Sequence, residues 1–223
     1  MSNNRTLTKW EELLKNDAFE TGDILLIHHK KQYSNIFSLI IDFFDTLIMG
    51  ITKSKYTHTS MIVKDPDFVN PPLKGVYILE SGFEPFHDSE NNRYKIGVEL
   101  VDFSKMMHNL EGSDVYYRKL ICDRDVAFYK NLKEAHKEIH NKPYDVLPTD
   151  WIKAALHINK GDTQTKKRFW CSALVSYIYV CLGFLPKDIP WTIVSPKMLG
   201  TEQPDNYELQ FQNCILEKEI KIT

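Results

Sequence analysis

Apolar and polar positions run together, alternate and break along the 223 residues in a way that predicts a mixed α and β chain. Thr8-Lys9-Trp10-Glu11 has the spacing of a capping box and predicts a short helix reaching about Lys15. Behind Gly22-Asp23, the continuous apolar run Ile24 to Ile27 reads as a buried strand. From Ser34 to Ile51 the apolar residues recur at helical spacing. There Ser38, Asp42 and Asp45 form a narrow polar stripe at i, i+4 and i+7. Thr57 to Val63 is β-branched and apolar and reads as a strand. The stretch from Asp65 to Gly75 holds three prolines and a glycine, so it reads as a loop. Val76 to Glu80 is a further strand, ended by Ser81-Gly82.

Two more strands are expected near Tyr94 to Val101 and Asp114 to Ile121, then a long helix from Arg124 to about His140. Pro143-Tyr144-Asp145 breaks that helix. A second long helix starts at or just before Cys171 and ends at Gly183, a suitable residue just past a helix end. Ser195-Pro196 combines an N-cap with a first-turn proline and predicts a short helix. A closing strand is expected near Gln210 to Ile220. Strands gathered early and helices mixed in later point to an α+β fold rather than alternating α/β. No repeat, low-complexity tract or Gly/Ser linker divides the chain, so residues 1–223 read as one domain.

Composition narrows the function classes. Apolar residues are 43% and charged residues 26%, ordinary values for a globular protein with a sizeable core. With 28 basic against 30 acidic residues and a net charge of −2, the whole chain gives no sign of nucleic-acid binding. Cys122, Cys171, Cys181 and Cys214 lack CxxC spacing or a paired CxxC and HxxxH arrangement, so no zinc site and no cofactor are expected. The polar start, Met1-Ser-Asn-Asn-Arg5, leads to no apolar signal-peptide core. A reducing, cytoplasmic setting with free thiols is therefore the expectation, and a virion stays open.

The chemistry centres on Cys171, at the leading edge of the apolar helical segment Phe169 to Cys181. A cysteine in the first turn of a helix meets unpaired N–H groups and the positive end of the dipole, which favour a thiolate. The same N–H groups can hold the oxyanion that forms when a thiolate attacks a carbonyl. The plainer alternative is a small buried hydrophobe, the common fate of a free cysteine. A nucleophile needs a base, and His58 is the best placed of eight histidines, at the start of a strand. Alternation puts His58, Ser60 and Ile62 on one face. If that strand pairs with the next so that 62 meets 76, then 58 meets 80, and Glu80 can orient the imidazole.

Six segments then occur in a telling order: Gly22-Asp-Ile-Leu25, Tyr56-Thr-His58, Leu79-Glu80, Lys142-Pro-Tyr-Asp145, Trp170-Cys-Ser-Ala-Leu-Val175 and Ser195-Pro-Lys-Met-Leu199. Together they resemble the circularly permuted branch of the NlpC-type papain-like superfamily. That branch has bacterial and poxvirus members, and lecithin–retinol acyltransferases are relatives. The histidine precedes the cysteine here, as in the permuted branch and unlike ordinary papain-like enzymes. The resemblance covers about residues 20 to 200, leaving the N-terminal helix and C-terminal strand as additions. It implies a papain-like fold in which an antiparallel sheet carrying the histidine packs on a helix whose N-terminus carries the cysteine. It implies Cys171 as nucleophile, His58 as general base and Glu80 as the residue orienting the imidazole. Tyr144 and Ser172 become the candidates for holding substrate or oxyanion. One departure is Ser60, where the family often has glycine two residues after the histidine.

The expected activity is amide (peptide-like) bond hydrolysis through an acyl-enzyme. Lipid acyl hydrolysis or transfer on the same site, and non-catalytic binding of lipid or peptide, are the alternatives. Catalysis requires a partly exposed Cys171, its sulfur near His58, and Glu80 behind the imidazole. Other features read plainly. His28-His29 is a solvated strand end, and His136 with His140, lacking an HExxH pattern, is polar surface. Lys166-Lys-Arg168 is a solvated loop with the alternative of attracting an anionic substrate. The segment from Ile36 to Ile51 is a poor membrane span at sixteen residues with two aspartates. Core packing is its reading, and peripheral membrane contact its alternative.

Overall fold

The computed structural model describes residues 6–30, 55–82, 86–143, 169–201 and 209–223. The expected helix from Ser34 to Ile51, Tyr144 and the basic run 166–168 lie outside the described residues.

The first helix, α1 (Lys9–Lys15), opens on the expected box: the Glu11 carboxylate accepts from the Thr8 backbone N–H at 2.7 Å and from its hydroxyl at 2.8 Å. Five strands then build most of one sheet: β1 (Ile24–His28), β2 (His58–Lys64), β3 (Val76–Gly82), β4 (Gly97–Asp102) and β5 (Asp114–Arg118). Between β4 and β5 lies α2 (Phe103–Asn109). After β5 come the short β6 (Leu120–Ile121) and the long helix α3 (Val126–Ile139), capped by Asp125 through the Phe128 N–H at 2.8 Å. The helix α4 (Cys171–Cys181) follows, then single 3-10 turns at Trp191–Ile193 and Pro196–Leu199. Two short strands, β7 (Ile215–Leu216) and β8 (Ile220–Lys221), stand where one longer strand was expected. The fold is α+β. Its main sheet has the order β4-β3-β2-β1-β5-β8, every pairing antiparallel, and β6 pairs with β7 separately.

Position in the sheet explains why β1 is a continuous apolar run. It lies between β2 and β5, and both faces are covered, so every side chain from Ile24 to Ile27 must be apolar. Ile24 and Leu26 join Met61, Val63 and Leu79 in the core shared with α3 and α4. Leu25 and Ile27 join Ile62, Ile78 and Val101 on the opposite face, with Trp10 of α1 and Phe103, Met106 and Met107 of α2. Each of these fully buried aliphatic side chains stabilises the fold by about 1.5–3 kcal/mol.

The expected end of β3 at Glu80 is corrected. The strand runs on through Ser81 and Gly82, because β4 continues to pair with it as far as Gly82 and Gly97. The closure of α4 matches expectation in detail. Gly183, at φ 78°, donates to Val180 O at 3.1 Å, and Phe184 donates to Tyr179 O at 2.8 Å. This is a Schellman pair that needs the left-handed residue glycine tolerates.

Candidate active site

The β2–β3 register is the first thing that builds the site. Met61 pairs with Leu79 and Lys64 with Val76. Continued along the strands, that register sets Ser60 opposite Glu80 and His58 opposite Gly82. The expected pairing of 58 with 80 is therefore wrong by two residues. A two-residue slip preserves the face, so Glu80 becomes the diagonal neighbour of His58, within reach of a long side chain. Its Oε2 lies 2.7 Å from His58 Nε2. Gly82 lies beside that diagonal: a Cβ there would stand in ordinary contact, 3.4 Å from Glu80 Oε1 and 3.7 Å from His58 Cε1, and a larger side chain would press on both. Sequence reasoning passed over Gly82, reading it only as a strand stop.

Cys171 meets the imidazole at the end of the sheet, where His58 opens β2, Gly82 closes β3 and Cys171 opens α4. By alternation His58 shares the face of Ile62, and it stands at the first position of β2. Nε2 is engaged by Glu80, and the ring also hydrogen-bonds with the Cys171 side chain. Burial opposes a charge on this ring, but the charge and hydrogen bonding of Cys171, followed by those of Glu80, outweigh it. The His58 imidazole is consequently held well above its usual range. The structure thus meets two of the three geometric demands made of Cys171. The third fails: Cys171 is only 2% exposed.

The helix is held in place by bonds remote in sequence. Tyr179 donates from its hydroxyl to Gly22 O at 2.7 Å, and Ser81 donates to Phe169 O at 2.7 Å, two residues before the cysteine. Ser172 donates its hydroxyl to Val194 O at 2.6 Å, fastening α4 to the 3-10 turn that follows Pro190. That side chain is engaged in the fold, and its backbone N–H is what remains for a substrate oxygen. The first-turn N–H groups of Cys171, Ser172 and Ala173 have no carbonyl within the helix to bond, whereas Leu174 N–H already donates to Trp170 O at 3.0 Å.

Asp23, noticed in the sequence only as part of a motif, is a fully buried hub. Its Oδ1 accepts from Leu120 N–H at 2.8 Å, and its Oδ2 from the Tyr117 hydroxyl at 2.6 Å and Glu20 N–H at 2.9 Å. Burial raises its carboxyl above the usual range, against these hydrogen bonds. A second carboxylate also stands near the site: Glu99 on β4 pairs directly with Glu80 and is buried.

No family model matches the chain, and no curated protein matches it. Among solved structures it is similar to the metalloprotein yiiX of Escherichia coli O157:H7. The identity is 16% over 92% of this chain and 96% of that one, with a TM-score of 0.47. A likeness that slight carries no argument about fold or function.

Among the described residues, no helix is long and apolar enough to cross a membrane. None of Cys122, Cys171, Cys181 and Cys214 forms a disulfide.

Proposed function

We propose that the protein is a thiol hydrolase of the permuted papain-like kind, cleaving a peptide-like amide bond through Cys171, His58 and Glu80. One observation carries this reading: a buried imidazole is bonded through Nε2 to a buried carboxylate and also interacts with the side chain of a helix-N-terminal cysteine. Ordered nucleophile, base and orienting acid are the parts covalent acyl transfer requires.

In the reaction, His58 takes the Cys171 proton and the thiolate attacks the carbonyl carbon. The negative oxygen faces the first-turn N–H groups of α4. Collapse of the tetrahedral species breaks the C–N bond, and the imidazolium gives its proton to the departing amine. Water then attacks the thioester with His58 again as base, releasing the acid and regenerating the thiol. A lipid ester, or an acceptor other than water, fits the same sequence of bonds.

Burial of the sulfur favours a second reading, a module that binds peptide or lipid at this site without turnover. Labelling with a thiol-directed acyl probe over a range of pH separates the two. The catalytic reading expects Cys171 to label ahead of Cys122, Cys181 and Cys214, and His58→Ala to slow it by about 100-fold or more. Equal labelling at Cys122 or Cys214, or none at Cys171, would remove it.

A further inference from the structure

The helix α3 ends at a side-chain cluster that the proposed chemistry does not use. His136 and His140 are one turn apart, and the structure corrects their reading as polar surface, since His136 is 5% exposed. Glu90, from the turn between β3 and β4, reaches between them. One oxygen, Oε2, lies 3.3 Å from His136 Nε2 and 2.9 Å from His140 Nδ1. All three ligand atoms lie within 4.8 Å of one another. Two imidazole nitrogens and a carboxylate oxygen bound at about 2.0–2.1 Å to a tetrahedral ion would stand about 3.3 Å apart, the spacing Glu90 Oε2 already has from His136 Nε2, and the other pairs reach it by side-chain shifts of at most about 1.5 Å.

The surroundings are those of a held site. The His136 ring packs on Phe68 with centroids 4.4 Å apart, and His140 Nε2 meets the Asn141 carboxamide, which fixes the other side of its ring. The turn bearing Glu90 is braced by Asn92 N–H on Asp88 O at 2.8 Å and Asp88 N–H on Arg93 O at 2.9 Å. Lys95 is the cation facing this cluster, and it is paired to the buried Asp88 at 2.5 Å. The His140 side chain is 32% exposed and that of Glu90 15%, which leaves a fourth position open to water.

We infer that Glu90, His136 and His140 form a binding site for a divalent transition ion of the zinc class. Its role is to clamp the 86–96 connection to the end of α3. Two imidazoles and one carboxylate suit zinc better than calcium or magnesium, which take oxygen ligands. The inference is independent of the proposed hydrolysis.

The test is calorimetric titration of chelator-treated protein with zinc, paired with thermal melting and cobalt(II) absorption. One zinc per chain is expected, with a raised melting temperature. His140→Gln and Glu90→Gln should each weaken binding by roughly 100-fold or more while leaving far-ultraviolet circular dichroism unchanged. Cobalt should give visible bands without a thiolate charge-transfer band. No uptake by the native chain, undiminished uptake by His140→Gln, or a thiolate band pointing to Cys122 and Cys214 would each overturn the site.

Discussion

Burial by itself would strip His58 of its proton, and the groups on either side of the ring reverse that tendency. Cys171 and Glu80 both act to raise the imidazole pKa, so Cys171→Ala and Glu80→Gln should each lower it. Following the His58 ring signal by NMR over pH checks both, and an unmoved titration in Cys171→Ala would separate the two residues. The folded chain holds this proton more tightly than the unfolded chain does. The stability His58 contributes is therefore complete below about pH 6.5 and is lost as pH rises through its higher folded value. Gly82 gives a steric counterpart: Gly82→Ala should fit at contact distance and keep probe labelling, whereas Gly82→Val should press on Glu80 and His58 and lower it. Cys171 and His58 stood out at a helix start and a strand start, and Glu80 only through an assumed strand pairing whose face survives the two-residue slip. Glu90 was not, because nothing near it in sequence signals that a turn will carry it to histidines 46 and 50 positions away.

At the scale of elements, the strands were legible by type and misjudged in register. Alternation tells which face a side chain takes but not how far one strand slides along its neighbour, and a two-residue slide leaves the face pattern intact. The helix α2 went unread although Phe103, Met106, Met107 and Leu110 have helical spacing. Asp102 caps it through Lys105 N–H at 2.9 Å. It follows β4 without a break, so the strand pattern ran over its start. Gly97 makes the most exacting demand of any strand residue. Its φ is 143°, and a Cβ would collide with Lys142 O and lie 2.8 Å from Pro143 Cα. There the chain leaving α3 touches β4, with Val98 N–H on Lys142 O at 2.9 Å, just before Tyr144. Gly97→Ala should cost about 2 kcal/mol or more, read from urea unfolding, and the loss of the Val98 bond should show as faster amide exchange.

For the whole molecule, α+β character was legible from pattern alone, while strand order was not. The run Ile24 to Ile27 announces burial on both faces, yet it cannot say that its two neighbours are β2 and β5. Asp23 shows what such distant pairing rests on. Asp23→Ala would leave Leu120 N–H and the Tyr117 hydroxyl buried without their partner, and should destabilise the fold by about 3 kcal/mol, measured by denaturant titration. The central place of β1 has a further consequence for fragments of the chain. Residues up to Asp102 hold β1 to β4 with His58 and Glu80, while the remainder holds β5, β8 and the helix of Cys171. The two pieces share a seam of five registered pairs, from Ile24 with Arg118 to His28 with Asp114. Neither piece expressed alone contains both halves of the site, and the C-terminal piece lacks the strands on which α4 packs. Mixing them should restore a Cys171 that responds to His58 only when that seam re-forms.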